Sequence, residues 1–120
     1  MWNIKLTTEL SQSKCEACNI DAPTLSNDEI SELQVQIPSW EVISDEGINK
    51  LICSFAFTNY EDSLAFTNKV AQLAEAEDHH PEIILEWGKV TVSWWSHKIK
   101  GLHKNDFICA SKTDNLFKDN

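Results

Sequence analysis

The sequence predicts a single α+β domain in which a four-stranded antiparallel sheet carries three helices on one face. The first observation is length, because 120 residues suit one domain with one core. The second is the spacing of apolar residues, which changes along the chain in the order helix, strand, strand, helix, strand, strand, helix. The third is that short turns join the strands of each pair, as in antiparallel hairpins.

The chain is predicted to begin with an arm, residues 1–24, that shows no sustained periodicity and is mostly irregular. Residues 25–120 then form the domain. Its first helix is predicted to start at Ser26, a capping residue with Glu29 three positions further on, as in a capping box. Apolar residues recur at helical spacing after this start until Pro38 ends the helix.

The first strand pair is predicted at residues 40–43 and 50–57, joined by a turn at residues 45–47 that ends in glycine. In the second of these strands apolar residues alternate with polar or small ones. The apolar face consists of Leu51, Cys53, Phe55 and Phe57. This pattern is typical of an antiparallel strand with one face buried.

A second helix is predicted over residues 61–77, where apolar side chains form a stripe at helical spacing. The stripe consists of Leu64, Phe66, Val70, Leu73 and Ala74. Proline disfavours helical backbone in the residue before it, so Pro81 places His79 and His80 at or just beyond the end of this helix.

The second strand pair is predicted at residues 83–87 and 89–97, with Gly88 in the turn. Trp94 and Trp95 fall on the two faces of the longer strand, and we expect them to serve packing and subunit contact. A final helix is predicted over residues 105–117. Asn105 is the expected cap of that helix, and His103 is expected to lie at the surface with no role in chemistry.

Three of the four histidines lie close to the boundaries of these elements. His79 and His80 follow Glu75 and Asp78, and His97 ends the fourth predicted strand. Imidazole has an unperturbed pKa of ~6.5, which lets it give or take a proton near neutral pH. Adjacent histidines beside carboxylates, with a third at a strand end, predict a proton-transfer site.

The composition disfavours two classes of partner. The formal net charge is −9, whereas binding to the nucleic-acid backbone or to an anionic membrane surface demands Lys and Arg. No apolar run approaches the ~18 residues of a membrane span. The first ten residues lack the pattern of a secretory signal, so we expect a cytoplasmic protein.

The four cysteines divide into two groups. Cys53 and Cys109 lie in predicted strand and helix, where free cysteine commonly packs as a small apolar residue. Cys15 and Cys18 form a lone Cys-x-x-Cys, a spacing found in zinc and redox sites. No second pair follows at a zinc spacing, which favours a structural or incidental role, but a metal or redox role stays open.

One set of residues resembles the pterin-4a-carbinolamine dehydratases, over residues 28 to 117. The matching motifs are Glu75-x-x-x-His79-His80-Pro81, Trp87, Val90-x-Val92-x-Trp94-x-Ser96-His97, Gly101-Leu102 and Asp106. Their conjunction is specific, whereas a bare His-His-Pro is weak. The Cys-x-x-Cys motif followed by Asp21-Ala-Pro23 resembles the bacterial branch of the family.

The resemblance implies the same fold and an enzyme that needs no cofactor, in a pterin recycling pathway beside an aromatic amino-acid hydroxylase. It implies that His79, His80 and His97 are catalytic, with the first two handling protons and His97 holding the 4a-hydroxyl of the substrate. Residues implied to support the histidines or bind the pterin are Trp40, Glu75, Asp78, Pro81 and Asp106. It also implies a homodimer or homotetramer.

Two alternatives accompany this interpretation. Three histidines with Asp78 resemble a catalytic zinc set, but adjacent histidines point in different directions and the dehydration needs only proton transfers. We therefore predict metal-free acid–base catalysis. The second alternative, also implied by the family, is a protein-binding module that acts as a transcriptional coactivator or regulates a hydroxylase.

Overall fold

The computed structural model of the protein describes residues 10–15 and 23–119. After a 3₁₀ turn, these ranges contain three helices and four strands in the predicted order. The elements are the 3₁₀ turn Leu10–Gln12, α1 (Asn27–Gln34), β1 (Glu41–Asp45), β2 (Ile48–Ala56), α2 (Tyr60–Glu77), β3 (Glu82–Glu86), β4 (Lys89–Trp94) and α3 (Lys104–Lys118). The α+β prediction is confirmed.

The strands form one antiparallel sheet in the order β1-β2-β4-β3. Each hairpin supplies one outer and one central strand, and the hairpins join where β2 pairs with β4. Glu46 and Gly47 connect β1 to β2 with φ angles of 52° and 81°. Two consecutive positive φ angles give a tight turn that matches the twist of the strands, and glycine adopts them without strain.

The core lies between this sheet and α2 and α3. The side chains that β2 and β4 turn toward the helices are Leu51, Cys53, Phe55, Val90, Val92 and Trp94, all buried. Phe66 of α2 packs against Phe55 with 4.9 Å between ring centroids. Leu64 was predicted to belong to the apolar stripe but is 42% exposed. It lies two positions before Phe66 on the helix, so its side chain points away from the face that Phe66 buries.

The first helix confirms its predicted start but ends early. Ser26 Oγ accepts from the Glu29 N–H, and the Glu29 carboxylate accepts from the Ser26 N–H, which completes the capping box. The helix ends at Gln34, short of Pro38. Its end is held by the Gln34 side-chain amide, which donates to the carbonyl of Trp40 at 2.9 Å.

The fourth strand also ends earlier than predicted. β4 stops at Trp94, and Ser96 then pairs with Gly101 in an isolated bridge. The intervening residues turn back on themselves, so His97 lies in a turn and not in a strand. A Cβ at position 101 would lie 2.8 Å from Cγ2 of Thr24, so a larger residue there would require the Thr24 side chain to shift.

The described part of the predicted N-terminal arm, residues 10–15 and 23–24, packs on the domain. Leu10 is 1% exposed, and its N–H donates to the side-chain oxygen of Gln36 at 3.0 Å. The 3₁₀ turn lies against α3. Cys18 and Asp21 lie outside the described residues, and the division of the chain at residue 24 stays a prediction.

None of the helices within residues 10–15 and 23–119 combines the length and apolarity that a membrane span needs.

Candidate active site

The backbone after α2 separates the two adjacent histidines. Asp78 has φ 51° and ψ 43°, the left-handed conformation that ends many helices and that Asp tolerates better than most residues. The His79 N–H then donates to the Ala74 carbonyl at 3.1 Å. As a result His79 is buried, at 7% exposed, whereas His80 faces solvent. Pro81 follows directly and leads into β3.

His79 is held by an aromatic ring and a carboxylate. Its ring stacks on Trp94, with 5.6 Å between centroids and 10° between planes. Its Nε2 lies 2.6 Å from Oδ1 of Asp106, which is fully buried in the first turn of α3. An ionised carboxylate only accepts hydrogen bonds, so Nε2 carries the hydrogen. Nδ1 is then the atom of His79 that is left to exchange a proton.

Asp106 is fixed in turn by two further donors, both on its other oxygen. Ser96 Oγ donates to Oδ2 at 2.8 Å, and the His103 backbone N–H donates to it at 2.9 Å. The carboxylate therefore joins three parts of the chain: the end of α2, the segment after β4, and the start of α3. Such a network compensates the cost of burying the carboxylate, which is high without partners.

His103 has a different role from the one predicted. Its Nδ1 accepts from the Asn105 N–H at 3.0 Å, and it forms a capping box with Asp106. The cap of α3 is therefore His103, and the expectation that Asn105 caps this helix was wrong. A neutral imidazole nitrogen accepts a hydrogen bond in the way a serine oxygen does. The sequence signal was the Asp106 carboxylate three residues after His103, as in a capping box.

His80 pairs with the second predicted carboxylate. Its Nε2 lies 2.7 Å from Oε1 of Glu75, on the last turn of α2. The two side chains are 57% and 79% exposed, so solvent screens their attraction and the pair adds little to stability. Its geometric effect remains, because Glu75 holds the imidazole in one orientation. The Asp78 side chain is exposed beside them.

His97 is exposed in the turn after β4 and stacks on Trp95, with 4.3 Å between ring centroids. Lys50 Nζ lies 4.0 Å from the centre of the same indole and 2.9 Å from Oδ2 of Asp45. A cation over an aromatic face is attracted by the ring quadrupole. Lys50 and Trp95 therefore support His97 from β2 and from the end of β4, a role that sequence analysis did not assign to them.

The Asp106 carboxylate links the chain around His79 to the chain around His97. His79 contacts this carboxylate directly, and Ser96, which precedes His97, donates to it. Within the described ranges no three His, Cys, Asp or Glu side chains converge closely enough to hold a metal ion.

Trp40 is placed apart from this network. It is 1% exposed, meets Phe55 edge-on, and donates its indole N–H to Asp114 at 2.9 Å. Burial raises the pKa of Asp114, although the bond from Trp40 opposes the shift. A fully buried ring offers no open face to a ligand. The expectation that Trp40 stacks on a pterin therefore has no support in this arrangement, in which the ring is part of the core.

The family profile described as Pterin 4 alpha carbinolamine dehydratase matches residues 23–116. A protein of Photobacterium profundum is 58% identical over 107 residues, which are 89% of this chain and 96% of that protein. A protein of Nitrosococcus oceani is 56% identical over 110 residues, 92% of this chain and 97% of that protein. Each carries the name "Putative pterin-4-alpha-carbinolamine dehydratase".

Two solved structures share the fold. The crystal structure of a transcriptional coactivator/pterin dehydratase from Brucella melitensis has a TM-score of 0.71 at 26% identity, covering 78% of this chain and 98% of that one. A pterin dehydratase-like protein identified as a RuBisCO assembly factor in the alpha-carboxysome has a TM-score of 0.57 at 24% identity, covering 66% and 89%. The second likeness shows the fold alone.

Proposed function

Because this chain belongs to the pterin 4 alpha carbinolamine dehydratase family, we propose that it dehydrates 4a-hydroxytetrahydropterins to quinonoid dihydropterins. The observation that carries the proposal is the buried pair of His79 and Asp106, joined at 2.6 Å, both of which lie within the residues that the family profile matches. The reaction serves the recycling of a pterin cofactor used in aromatic amino-acid hydroxylation.

The chemistry requires two proton transfers. An acid protonates the 4a-hydroxyl, which leaves as water, while a base takes the proton from the neighbouring ring nitrogen as the carbon–nitrogen double bond forms. Each positioned acid or base typically contributes about 10²–10⁴-fold. Histidine suits both steps near neutral pH, so the reaction needs no metal ion.

We assign the two proton transfers to His79 and His80 together, and the binding of the 4a-hydroxyl to His97. Asp106 orients His79 so that its Nδ1 is available, and Glu75 orients His80. The buried contact between His79 and Asp106 forms without substrate, which lowers the entropy cost of reaching the reactive geometry. We also assign binding of the polar edge of the pterin to the carboxylates of Glu75 and Asp78, both of which are exposed.

The test is stopped-flow measurement of the loss of chemically generated 4a-hydroxytetrahydropterin, with EDTA present throughout. We expect the protein to accelerate the loss over the spontaneous rate, and His80→Gln to lower the rate by about 10²-fold. His80 is exposed, so thermal unfolding of this variant should match the wild type. A folded wild-type protein that gives no acceleration would falsify the proposal, and acceleration that EDTA abolishes would overturn its metal-free form.

A second candidate is a protein-binding module. The Brucella melitensis protein is described as both a transcriptional coactivator and a pterin dehydratase. This description supports a protein-binding role as the second candidate for this chain. In addition, Ile84 on the edge strand β3 and Trp87 after it are 48% and 66% exposed. Exposed apolar residues at a sheet edge are typical of association between chains. Light scattering of the wild type and of Trp87→Ser tests self-association, with a dimer or tetramer expected for the wild type.

A further inference from the structure

Two cysteines distant in sequence meet beside the histidine site. Sγ of Cys15 and Sγ of Cys109 are 3.4 Å apart, although 94 positions separate them along the chain. Cys109 is fully buried in α3, and Cys15 is partly exposed. Neither thiol has a part in the proposed proton transfers.

Cys15 is held in this position by more than its thiol. Its backbone N–H donates to Oε1 of Glu77 at 2.9 Å, and the other oxygen of Glu77 accepts from Lys112 Nζ at 2.8 Å. Its sulfur also lies 3.7 Å from the carbonyl of Asn105. Residue 15 therefore bridges the end of α2 and the start of α3, the two helix ends that carry His79 and Asp106.

We propose that Cys15 and Cys109 are a redox site, and that peroxide converts them to a disulfide which ties the N-terminal segment to α3. A disulfide has an S–S bond of ~2.05 Å, so the present contact must shorten by roughly 1.4 Å. The two sulfurs already face each other, so the bond needs a small shift of the side chains and no refolding.

The reaction balances with hydrogen peroxide as the oxidant. The thiolate of Cys15 attacks one peroxide oxygen, the O–O bond breaks, and the departing hydroxide becomes water by taking a proton. The Cys15 sulfenic acid is then attacked by the Cys109 sulfur, and the S–O bond breaks to release a second water with the Cys109 proton. Two thiols lose one electron each, and one peroxide is reduced to two waters.

The order of these steps follows from exposure and from the environment of each thiol. The contact with Cys15, followed by burial, raises the pKa of the Cys109 thiol, so this sulfur stays protonated and shielded. The partly exposed Cys15 therefore meets the oxidant first, and Cys109 resolves the sulfenic acid. Cys53 is 8% exposed, and burial raises the pKa of its thiol to about 11, so it should remain reduced.

The sequence offers a competing pair, because Cys18 lies three residues after Cys15. The test treats the full-length protein with hydrogen peroxide, alkylates free thiols, and maps disulfides by digestion and mass spectrometry. We expect a Cys15–Cys109 link that forms equally in Cys18→Ser and is reversed by dithiothreitol. A Cys15–Cys18 link, or four alkylated thiols after oxidation, overturns the proposal.

A second measurement reports the consequence for the fold. A cross-link across a loop of this length restricts the unfolded chain, so oxidation of Cys18→Ser should raise Tm by about 5 °C or more. The same treatment should leave the Tm of Cys18→Ser/Cys109→Ala unchanged, because Cys15 then has neither partner. Each variant is compared with its own reduced form, so the effect of the cavity at residue 109 cancels. An oxidised Cys18→Ser protein with an unchanged Tm contradicts the tie between the arm and α3.

Discussion

The imidazole of His79 lies nearly parallel to the indole of Trp94, with 10° between their planes. Stacking fixes the plane of the imidazole, and the bond from Nε2 to Asp106 fixes its rotation within that plane. These two constraints act in different directions, so together they define the position of Nδ1. An orientation fixed by packing and hydrogen bonds before binding is what an acid–base group requires.

The first prediction concerns Asp106→Asn. The amide oxygen can still accept from Ser96 and the His103 N–H, while the N–H₂ group donates to Nε2 of His79. The hydrogen of the imidazole then lies on Nδ1, so His79 is held in the wrong tautomer. We expect a loss of about 1 kcal/mol in unfolding free energy and of about 10²-fold in turnover. The control is Asp114→Asn, on the same helix but bonded to Trp40, which should keep its turnover per folded molecule. Wild-type turnover in Asp106→Asn would contradict the orienting role.

The second prediction isolates the contribution of Ser96. Ser96→Ala removes one of the donors to Asp106 and leaves the bond to His79 in place. Stability should fall by about 1 kcal/mol and turnover by about 3–10-fold. Ser63→Ala is a matched control, because Ser63 is equally buried and donates to the carbonyl of Trp87. Ser63 lies near the start of α2, at the opposite end from His79. It should lose stability without losing turnover, and an equal loss of turnover in both variants would point to general destabilisation.

The third prediction separates orientation from stability at His80. Glu75→Gln keeps the size of the side chain but weakens its hold on the imidazole. Because both partners are exposed, unfolding by urea should be unchanged within about 0.5 kcal/mol. Turnover should fall by about 10-fold. Glu61→Gln, in the first turn of the same helix, should behave as wild type, and a similar fall in turnover there would remove the support for Glu75.

The fourth prediction concerns the cap supplied by His103. His103→Ala removes the acceptor for the Asn105 N–H and should lower the unfolding free energy by about 1 kcal/mol. His103→Ser restores a capping oxygen and should recover most of that loss. The backbone N–H that binds Asp106 survives in both variants, so turnover should change little. Equal stability of the alanine and serine variants would show that the imidazole does not cap α3.

The fifth prediction is a pH dependence of stability that arises from Glu77. Burial raises its pKa, but the hydrogen bonds from Lys112 and Cys15 outweigh burial and hold it below the ordinary value of 4.5. An acid with a lowered pKa in the folded state stabilises the fold above its unfolded pKa and loses that contribution as the pH falls through its folded pKa. Glu77→Gln should therefore cost about 1–3 kcal/mol at pH 7. The difference in unfolding free energy between Glu77→Gln and the wild type, measured by urea unfolding, should become smaller below about pH 4.5. A difference independent of pH would exclude the charge as its cause.

The order of the elements could be predicted from sequence because periodicity reports burial directly. In β2 the buried residues Leu51, Cys53 and Phe55 alternate with Ile52, Ser54 and Ala56, which are less buried. The position of Trp40 could not be predicted in the same way. A tryptophan just before a strand looks the same in the sequence whether it packs in the core or lines a pocket. The early end of β4 depends on the bridge from Ser96 to Gly101, a pairing that no local period encodes.

The arrangement of the candidate site could not be predicted from sequence. Sequence motifs named His79, His80 and Asp106, but the outcome that one histidine is buried and the next exposed depends on a single left-handed residue, Asp78. The link from Cys15 to α3 was also beyond prediction, because it joins residues at opposite ends of the chain. Contacts of that kind follow from tertiary packing and leave no local pattern.

The sheet order has a consequence for how the protein is made. β2 lies between β1 and β4, so its second edge stays unpaired during synthesis until the later hairpin emerges from the ribosome. Asp106 arrives later still, on α3, after all three histidines of the site have been translated. A nascent chain thus carries the histidines before it carries the carboxylate that orients His79. Competence for chemistry should appear only when α3 docks, which makes it a late event in the biosynthesis of the molecule.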